Sequence, residues 1–187
     1  KKYGGVQFHA DETYLLGAPD VLLGDEIGPY QAQIDHYSSQ GCRVLLLGLY
    51  DGTLQDETID PGQLMPLALI LLANRIREEA PETFAYFAQQ GVQVKVISGD
   101  NPVTVSQIAL KAGLESADKY IDSSELPADL AALRMIVTDY TVFGRVTPDQ
   151  KQQLVAALQA EGMIVGMVGD GVNDVLALKD ADSGIAS

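Results

Sequence analysis

Gly169-Asp170-Gly171-Val172-Asn173-Asp174 sets two carboxylates four residues apart, with an amide beside the second. The apolar stretch Val165-Gly166-Met167-Val168 before it reads as a strand and the residues after it suit a helix, so the turn between them can bring Asp170, Asn173 and Asp174 to one face. Oxygen donors of this kind suit Mg²⁺, which keeps several waters and bridges to a phosphate. The same residues suit a Gly/Asn/Asp turn with capping carboxylates, and the spacing leaves both readings open. Two further features share this context. Val94-Lys95-Val96-Ile97 runs into Ser98-Gly99-Asp100-Asn101, and Lys151 sits at the start of a helix announced by Thr147-Pro148-Asp149-Gln150. Singly, the serine reads as a turn or cap and the lysine as a solvated cation. Together, a serine, then a lysine, then the paired carboxylates, each at a strand end or helix start, point to phosphoryl chemistry, where catalysis is mainly positioning and charge stabilisation.

The elements that must position these residues alternate. From about Gln63 the pattern is a strand at 64–73, a helix at 81–90 ending at Gly91 and a strand at 92–97. A helix at 102–112 ending at Gly113 follows, then a possible helix at 128–135 and a strand at 141–143. A helix at 148–161 ending at Gly162 and a strand at 163–168 complete it. Such alternation predicts an α/β fold with a parallel sheet covered by helices, which binds ligands at its strand ends. Asn101-Pro102 and Thr147-Pro148-Asp149-Gln150 are capped helix starts, the second with a capping box. The first third differs. Strands at 6–10 and 13–16 flank a turn at Asp11-Glu12, a helical pattern covers 19–41, and an apolar strand covers 42–50. The polar, Gly/Pro-punctuated stretch 51–62 suggests a boundary, giving domains 1–62 and 63–187.

Composition narrows the partners. Asp+Glu 26 against Lys+Arg 12 gives a net charge of -14, which argues against nucleic acid and anionic membrane as partners. The mean hydropathy of +0.06 is ordinary for a globular α/β protein. The longest apolar run, Leu64 to Ala73, contains Pro66 and is too short to cross a bilayer, which takes about 20 residues. Lys1-Lys2-Tyr3-Gly4-Gly5 shows no signal peptide, and the lone Cys42 allows no internal disulfide and reads as a small buried apolar residue.

Three stretches carry a resemblance to a known family: Val94 to Pro102, Phe143-Gly144-Arg145-Val146-Thr147-Pro148-Asp149-Gln150-Lys151, and Gly169 to Asp182. They resemble the second, third and fourth motifs of the haloacid dehalogenase superfamily, in the form seen in P-type cation-transporting ATPases of bacteria. Leu16-Gly17-Ala18-Pro19-Asp20 and Gly41-Cys42-Arg43-Val44-Leu45 are similar to segments of that family's nucleotide-binding domain. The resemblance implies a Rossmann-like parallel sheet of haloacid dehalogenase type, the phosphorylation domain, preceded by part of an α+β nucleotide-binding domain. It implies ATP and Mg²⁺ as cofactors, a cation carried by membrane helices outside this chain, and a cytoplasmic location. Ser98 would hydrogen-bond the phosphoryl group and Lys151 would neutralise its charge. Asp170 would ligate Mg²⁺, with Asp174 as a second carboxylate and Asn173 in support. Gly99 and Gly171 would let backbone approach the phosphate, and Gly17, Arg43, Asp100 and Asn101 complete the implied nucleotide and phosphate contacts.

The sequence departs from the family in several places. It contains no Asp-Lys-Thr-Gly-Thr motif, so no aspartyl nucleophile, and alone it is expected to be inactive. Leu16 stands where the family has lysine, Asp20 where it has glutamate, and Asn74 where it usually has aspartate. In the superfamily the nucleophile strand lies between the strands ending at Ser98 and Gly169. Without it a gap, a dimer or a borrowed strand is expected, because open strand edges leave backbone groups unsatisfied. Leu49-Tyr50-Asp51-Gly52-Thr53-Leu54 mimics a phosphatase nucleophile motif, but with leucine at the attacking position. A stand-alone phosphatase and a catalytically dead nucleotide-binding module are the alternatives.

Overall fold

The computed structural model describes residues 3–9, 12–52, 59–73 and 75–186. It divides into two compact units, 1–74 and 75–187.

In the first unit, β1 (Tyr3–His9) and β2 (Glu12–Gly17) form the expected antiparallel hairpin; Asp11 of its turn lies outside the described residues. The helical pattern becomes α1 (Pro19–Leu23), a 3₁₀ turn at Gly24–Ile27, and α2 (Gly28–Ser39). Gly41 takes φ 77, a left-handed conformation open to glycine, to turn the chain into β3 (Cys42–Tyr50). After a 3₁₀ turn at Pro61–Gln63, β4 (Leu64–Ala73) pairs antiparallel with β3, giving a sheet of order β1-β2-β3-β4. Period-2 alternation buries Val44, Leu46 and Tyr50 of β3, the last two packing with Leu15, Leu22, Leu23 and Leu64. The opposite face keeps Val6, Phe8, Leu16, Met65 and Leu72 exposed.

β4 differs from its expected place. The sequence assigned 64–73 to the second domain, but its hydrogen bonds go to β3 across nine residue pairs from Cys42↔Ala73 to Tyr50↔Leu64, so the unit boundary falls after residue 74. An apolar run satisfies either sheet, and only its pairing partner decides. Leu49 of the phosphatase-like segment lies inside β3, opposite Tyr14 and Met65, and the Gly52 carbonyl accepts a bond from Thr13 Oγ1 at 3.2 Å. Leu49 and Tyr50 of that segment end the strand and Asp51 and Gly52 bend away from it, while Thr53 and Leu54 lie outside the described residues.

The second unit alternates strand and helix, with β6 and β9 added to the expected elements: α3 (Ala80–Gln89), β5 (Val96–Ile97), α4 (Pro102–Lys111), β6 (Tyr120–Asp122), α5 (Leu130–Val137), β7 (Val142–Gly144), α6 (Pro148–Ala160), β8 (Gly166–Gly169), α7 (Val175–Asp180) and β9 (Ser183–Ala186). All its strand pairs are parallel, in the order β5-β7-β6 and, separately, β8-β9. The expected α/β fold, with parallel strands covered by helices, is therefore observed. Phe143, Leu154, Ala157, Val137, Leu133 and Ile121 pack α5 and α6 on one side of the sheet, and Val142 with Val105, Ala109 and Leu114 packs α4 on the other.

Two strands are shorter than the sequence suggested. β5 is limited to the residues opposite Val142 and Phe143 of the short β7. β8 begins only at Gly166, because the Val165 N–H donates instead to Asp182 Oδ2 at 2.8 Å. Among the described residues β5 pairs only with β7 and β8 only with β9, so the strands that end at Ser98 and Gly169 lie in separate sheets. No helix among the described residues is long and apolar enough to cross a membrane.

Candidate active site

The C-terminal ends of β5 and β7 are stitched together by backbone. The Ser98 N–H donates to the Phe143 carbonyl at 2.9 Å, Val146 N–H to the Ser98 carbonyl at 2.9 Å, and Arg145 N–H to the Asp100 carbonyl at 2.8 Å. Parallel pairing thus places the loop after β5 directly against the loop after β7. Asp100 N–H donates to Ser98 Oγ at 3.1 Å, so the hydroxyl is oriented as an acceptor and keeps its own proton for donation. Gly99 is exposed, and a Cβ there would meet only the Val146 carbonyl at 3.9 Å. Asn101 has a structural role: its Oδ1 accepts from Val103 N–H at 2.9 Å and Thr104 N–H at 3.4 Å, capping α4. Gly144 is required by contact, since a Cβ there would lie 2.5 Å from the Pro102 backbone.

α6 starts where its sequence said it would. Gln150 N–H donates to Thr147 Oγ1 at 3.3 Å and Thr147 N–H to Gln150 Oε1 at 3.0 Å, a complete capping box. Lys151 follows at once, and its Nζ reaches Asp174 Oδ1 at 2.6 Å, with both side chains mostly buried. Asp174 sits under the end of β8, and Gly169 makes room for it, because a Cβ there would lie 2.6 Å from Asp174 Cβ. The hydrogen bond from the Lys151 ammonium holds the Asp174 carboxyl below the usual carboxylate range. Burial opposes this, and the lysine's charge and the N–H groups of Gly171 and Asp170 assist it.

Asp170, Gly171 and Asn173 are exposed beside this pair. Asp174 has one oxygen on Lys151 and the other 3.4 Å from the Gly171 N–H. The open donors are therefore Asp170 and Asn173. Among the described residues no group of three or more His, Cys, Asp or Glu side chains gathers as a metal cage. One free carboxylate and a neighbouring amide match a Mg²⁺ site completed by water and phosphate oxygens.

Gly17 and Arg43 belong to the first unit. Gly17 pairs with Leu46, on the covered face of the sheet, while the odd-numbered Arg43 is exposed on the other face, so the two are not brought together. The sequence reading missed Asp122, whose Oδ2 lies 2.6 Å from Arg145 Nη1, and Ser123, whose hydroxyl donates to the Arg145 carbonyl at 2.8 Å. No spacing could signal a pair formed across two strands. A depression of about 340 Å³, lined by Phe84, Val94, Lys95, Lys119 and Thr141 among others, opens near the start of β5 and β7 and includes none of the site residues.

A family model described as haloacid dehalogenase-like hydrolase matches residues 8–182. A calcium-transporting ATPase, CtpE, of Mycobacterium tuberculosis is 47% identical over 185 residues, covering 99% of this chain and 23% of the relative. A probable cation-transporting ATPase, exp7, of Streptococcus pneumoniae is 39% identical over 186 residues, covering 99% of this chain and 23% of the relative. A magnesium-transporting ATPase, P-type 1, of Salmonella typhimurium is 36% identical over 160 residues, covering 83% of this chain and 18% of the relative. The chain thus spans less than a quarter of the length of the curated relatives it matches.

Proposed function

The chain belongs to the haloacid dehalogenase-like hydrolases, and from that premise we propose that it is the phosphoryl-handling part of a P-type ATPase, which couples ATP hydrolysis through an aspartyl-phosphate to cation transport. The observation that carries the proposal is the Lys151 Nζ–Asp174 Oδ1 pair at 2.6 Å, under a strand end that also presents Asp170. Unit 75–187 is then the phosphorylation domain and unit 1–74 part of the nucleotide-binding domain, both on the cytoplasmic side of the membrane.

In this reading Ser98 donates its hydroxyl proton to a phosphoryl oxygen, while Asp100 N–H fixes the direction of Oγ. Lys151 offsets the negative charge of the phosphoryl group, and Asp174 prevents its flexible stem from wandering. Asp170 would hold Mg²⁺ with Asn173 beside it, and the ion would supply charge neutralisation of the phosphate oxygens. The exposed backbone at Gly99 and Gly171 gives the phosphate room to approach. The aspartate that accepts the phosphoryl group is not among these residues, which contain no Asp-Lys-Thr-Gly-Thr motif. In the first unit the exposed Arg43, and not the covered Gly17, would be open to a nucleotide, and the resemblance to calcium- and magnesium-transporting relatives supports a divalent cation as cargo.

The test is steady-state ATP hydrolysis by the full-length protein carrying this segment. Ser98→Ala, Lys151→Ala and Asp170→Ala should each lower the rate at least about a hundredfold, in line with the loss of one transition-state contact. Wild-type turnover in Lys151→Ala would refute the assignment.

A further inference from the structure

We propose that Asp122 is a positioning residue for Lys151, acting through the loop between β7 and α6. The proposal rests on the reading that Lys151 serves the phosphoryl group. Asp122 closes β6, and both its oxygens are engaged. Oδ2 accepts from Arg145 Nη1 at 2.6 Å, while Oδ1 accepts from Ser124 N–H at 2.9 Å and Ser124 Oγ at 2.8 Å. A carboxylate bonded on both sides cannot turn freely, so it is a fixed anchor for the guanidinium.

What it anchors is a strained residue. Arg145 has φ 55, a left-handed conformation that a residue with a long side chain adopts only when its surroundings impose it. Four further bonds hold it and the segment just after it. Arg145 N–H donates to the Asp100 carbonyl at 2.8 Å, and Ser123 Oγ donates to the Arg145 carbonyl at 2.8 Å. Gln150 Nε2 donates to the Ser123 carbonyl at 3.0 Å while Gln150 Oε1 accepts from Thr147 N–H. The turn at Asp122–Ser124 therefore grips segment 145–150 at both ends. Lys151 is the next residue, with its own N–H on the Thr147 carbonyl at 3.0 Å.

A half-exposed ion pair of this kind contributes little to stability, and the Arg145 and Asp122 side chains are 36% and 14% exposed. Its consequence is geometric. Loosening the guanidinium removes one of the bonds that hold Arg145 in this conformation, so the loop ahead of α6 gains freedom and the Lys151 ammonium is held less firmly on its mark. Misplacement of a charge-stabilising group by about 1 Å costs up to about a hundredfold in rate.

The experiment uses the full-length protein and reads kcat and KM for ATP separately. Asp122→Asn should lower kcat about tenfold, with KM for ATP within about twofold of wild type and the unfolding midpoint nearly unchanged. Arg145→Gln should also lower kcat, and adding Asp122→Asn to it should lower kcat no further, because both changes break one clamp. Wild-type kcat in Asp122→Asn, losses that multiply in the double variant, or a loss confined to KM would overturn the proposal. If Asp122→Asn does not accumulate, Ser123→Ala decides: a lowered kcat with unchanged KM supports the clamp and a wild-type kcat refutes it. Lys151→Ala is run alongside. Full activity there removes the reading beneath the proposal, whereas an inactive Lys151→Ala with a normal Asp122→Asn removes the proposal alone.

Discussion

Asp174 has two calls on its oxygens, Lys151 on one side and the backbone N–H groups of the turn on the other, and both favour its ionised form. Its folded pKa is depressed, so this carboxylate contributes stability above the unfolded value of about 3.9, and the contribution is lost as pH falls through the folded value. Lys151→Met should raise the Asp174 pKa, visible in a ¹³C carboxyl titration, and flatten the acid side of the stability–pH profile. At neutral pH it should cost about 3 kcal/mol, because it strands a buried charge. A similar logic applies to Gly144, where a methyl group would collide with the Pro102 backbone. Gly144→Ala should destabilise by about 1–3 kcal/mol in urea unfolding, the usual cost of overpacking. At this scale the sequence was partly legible. Ser98, Lys151, Asp170 and Asp174 stood out by type and context, but the sequence could not reveal that Asp174 is taken up by Lys151 while Asp170 stays exposed. Nor could it reveal that Asp122 meets Arg145, because that contact depends on β6 and β7 being neighbours.

The helix starts were the most readable elements, since capping is local chemistry. Asn101 and Thr147 both cap as their flanking residues implied. Thr147→Ala should cost about 1 kcal/mol by chemical denaturation. Strands were less readable, because a strand exists only where a neighbour pairs with it. The run 92–97 shrank to Val96–Ile97, and 64–73 joined β3 in an antiparallel sheet rather than the parallel one. Gly91, Gly113 and Gly162, all at positive φ, ended their helices as expected.

At the scale of the whole molecule, the net charge of -14 and the few bases near the strand ends suit a protein that meets phosphate through Mg²⁺ and selected cations, not through a basic surface. Among the described residues β5 and β8 each have one unpaired edge, and one face of the antiparallel sheet exposes Val6, Phe8, Leu16, Met65 and Leu72. Open edges and apolar faces favour association, so this chain by itself should show concentration-dependent self-association in sedimentation velocity. The α/β alternation was legible because helices and strands differ in period, whereas the split of the parallel strands into two sheets was not, because pairing order has no period. The central claim, that these residues handle a phosphoryl group received by an aspartate outside them, is tested most directly by trapping acid-stable phosphate from γ-labelled ATP with Mg²⁺. The account predicts incorporation into the full-length protein, its loss in Asp170→Ala, and none in this 187-residue chain alone. Stoichiometric labelling of this chain by itself, or undiminished labelling of the full-length Asp170→Ala protein, would contradict it.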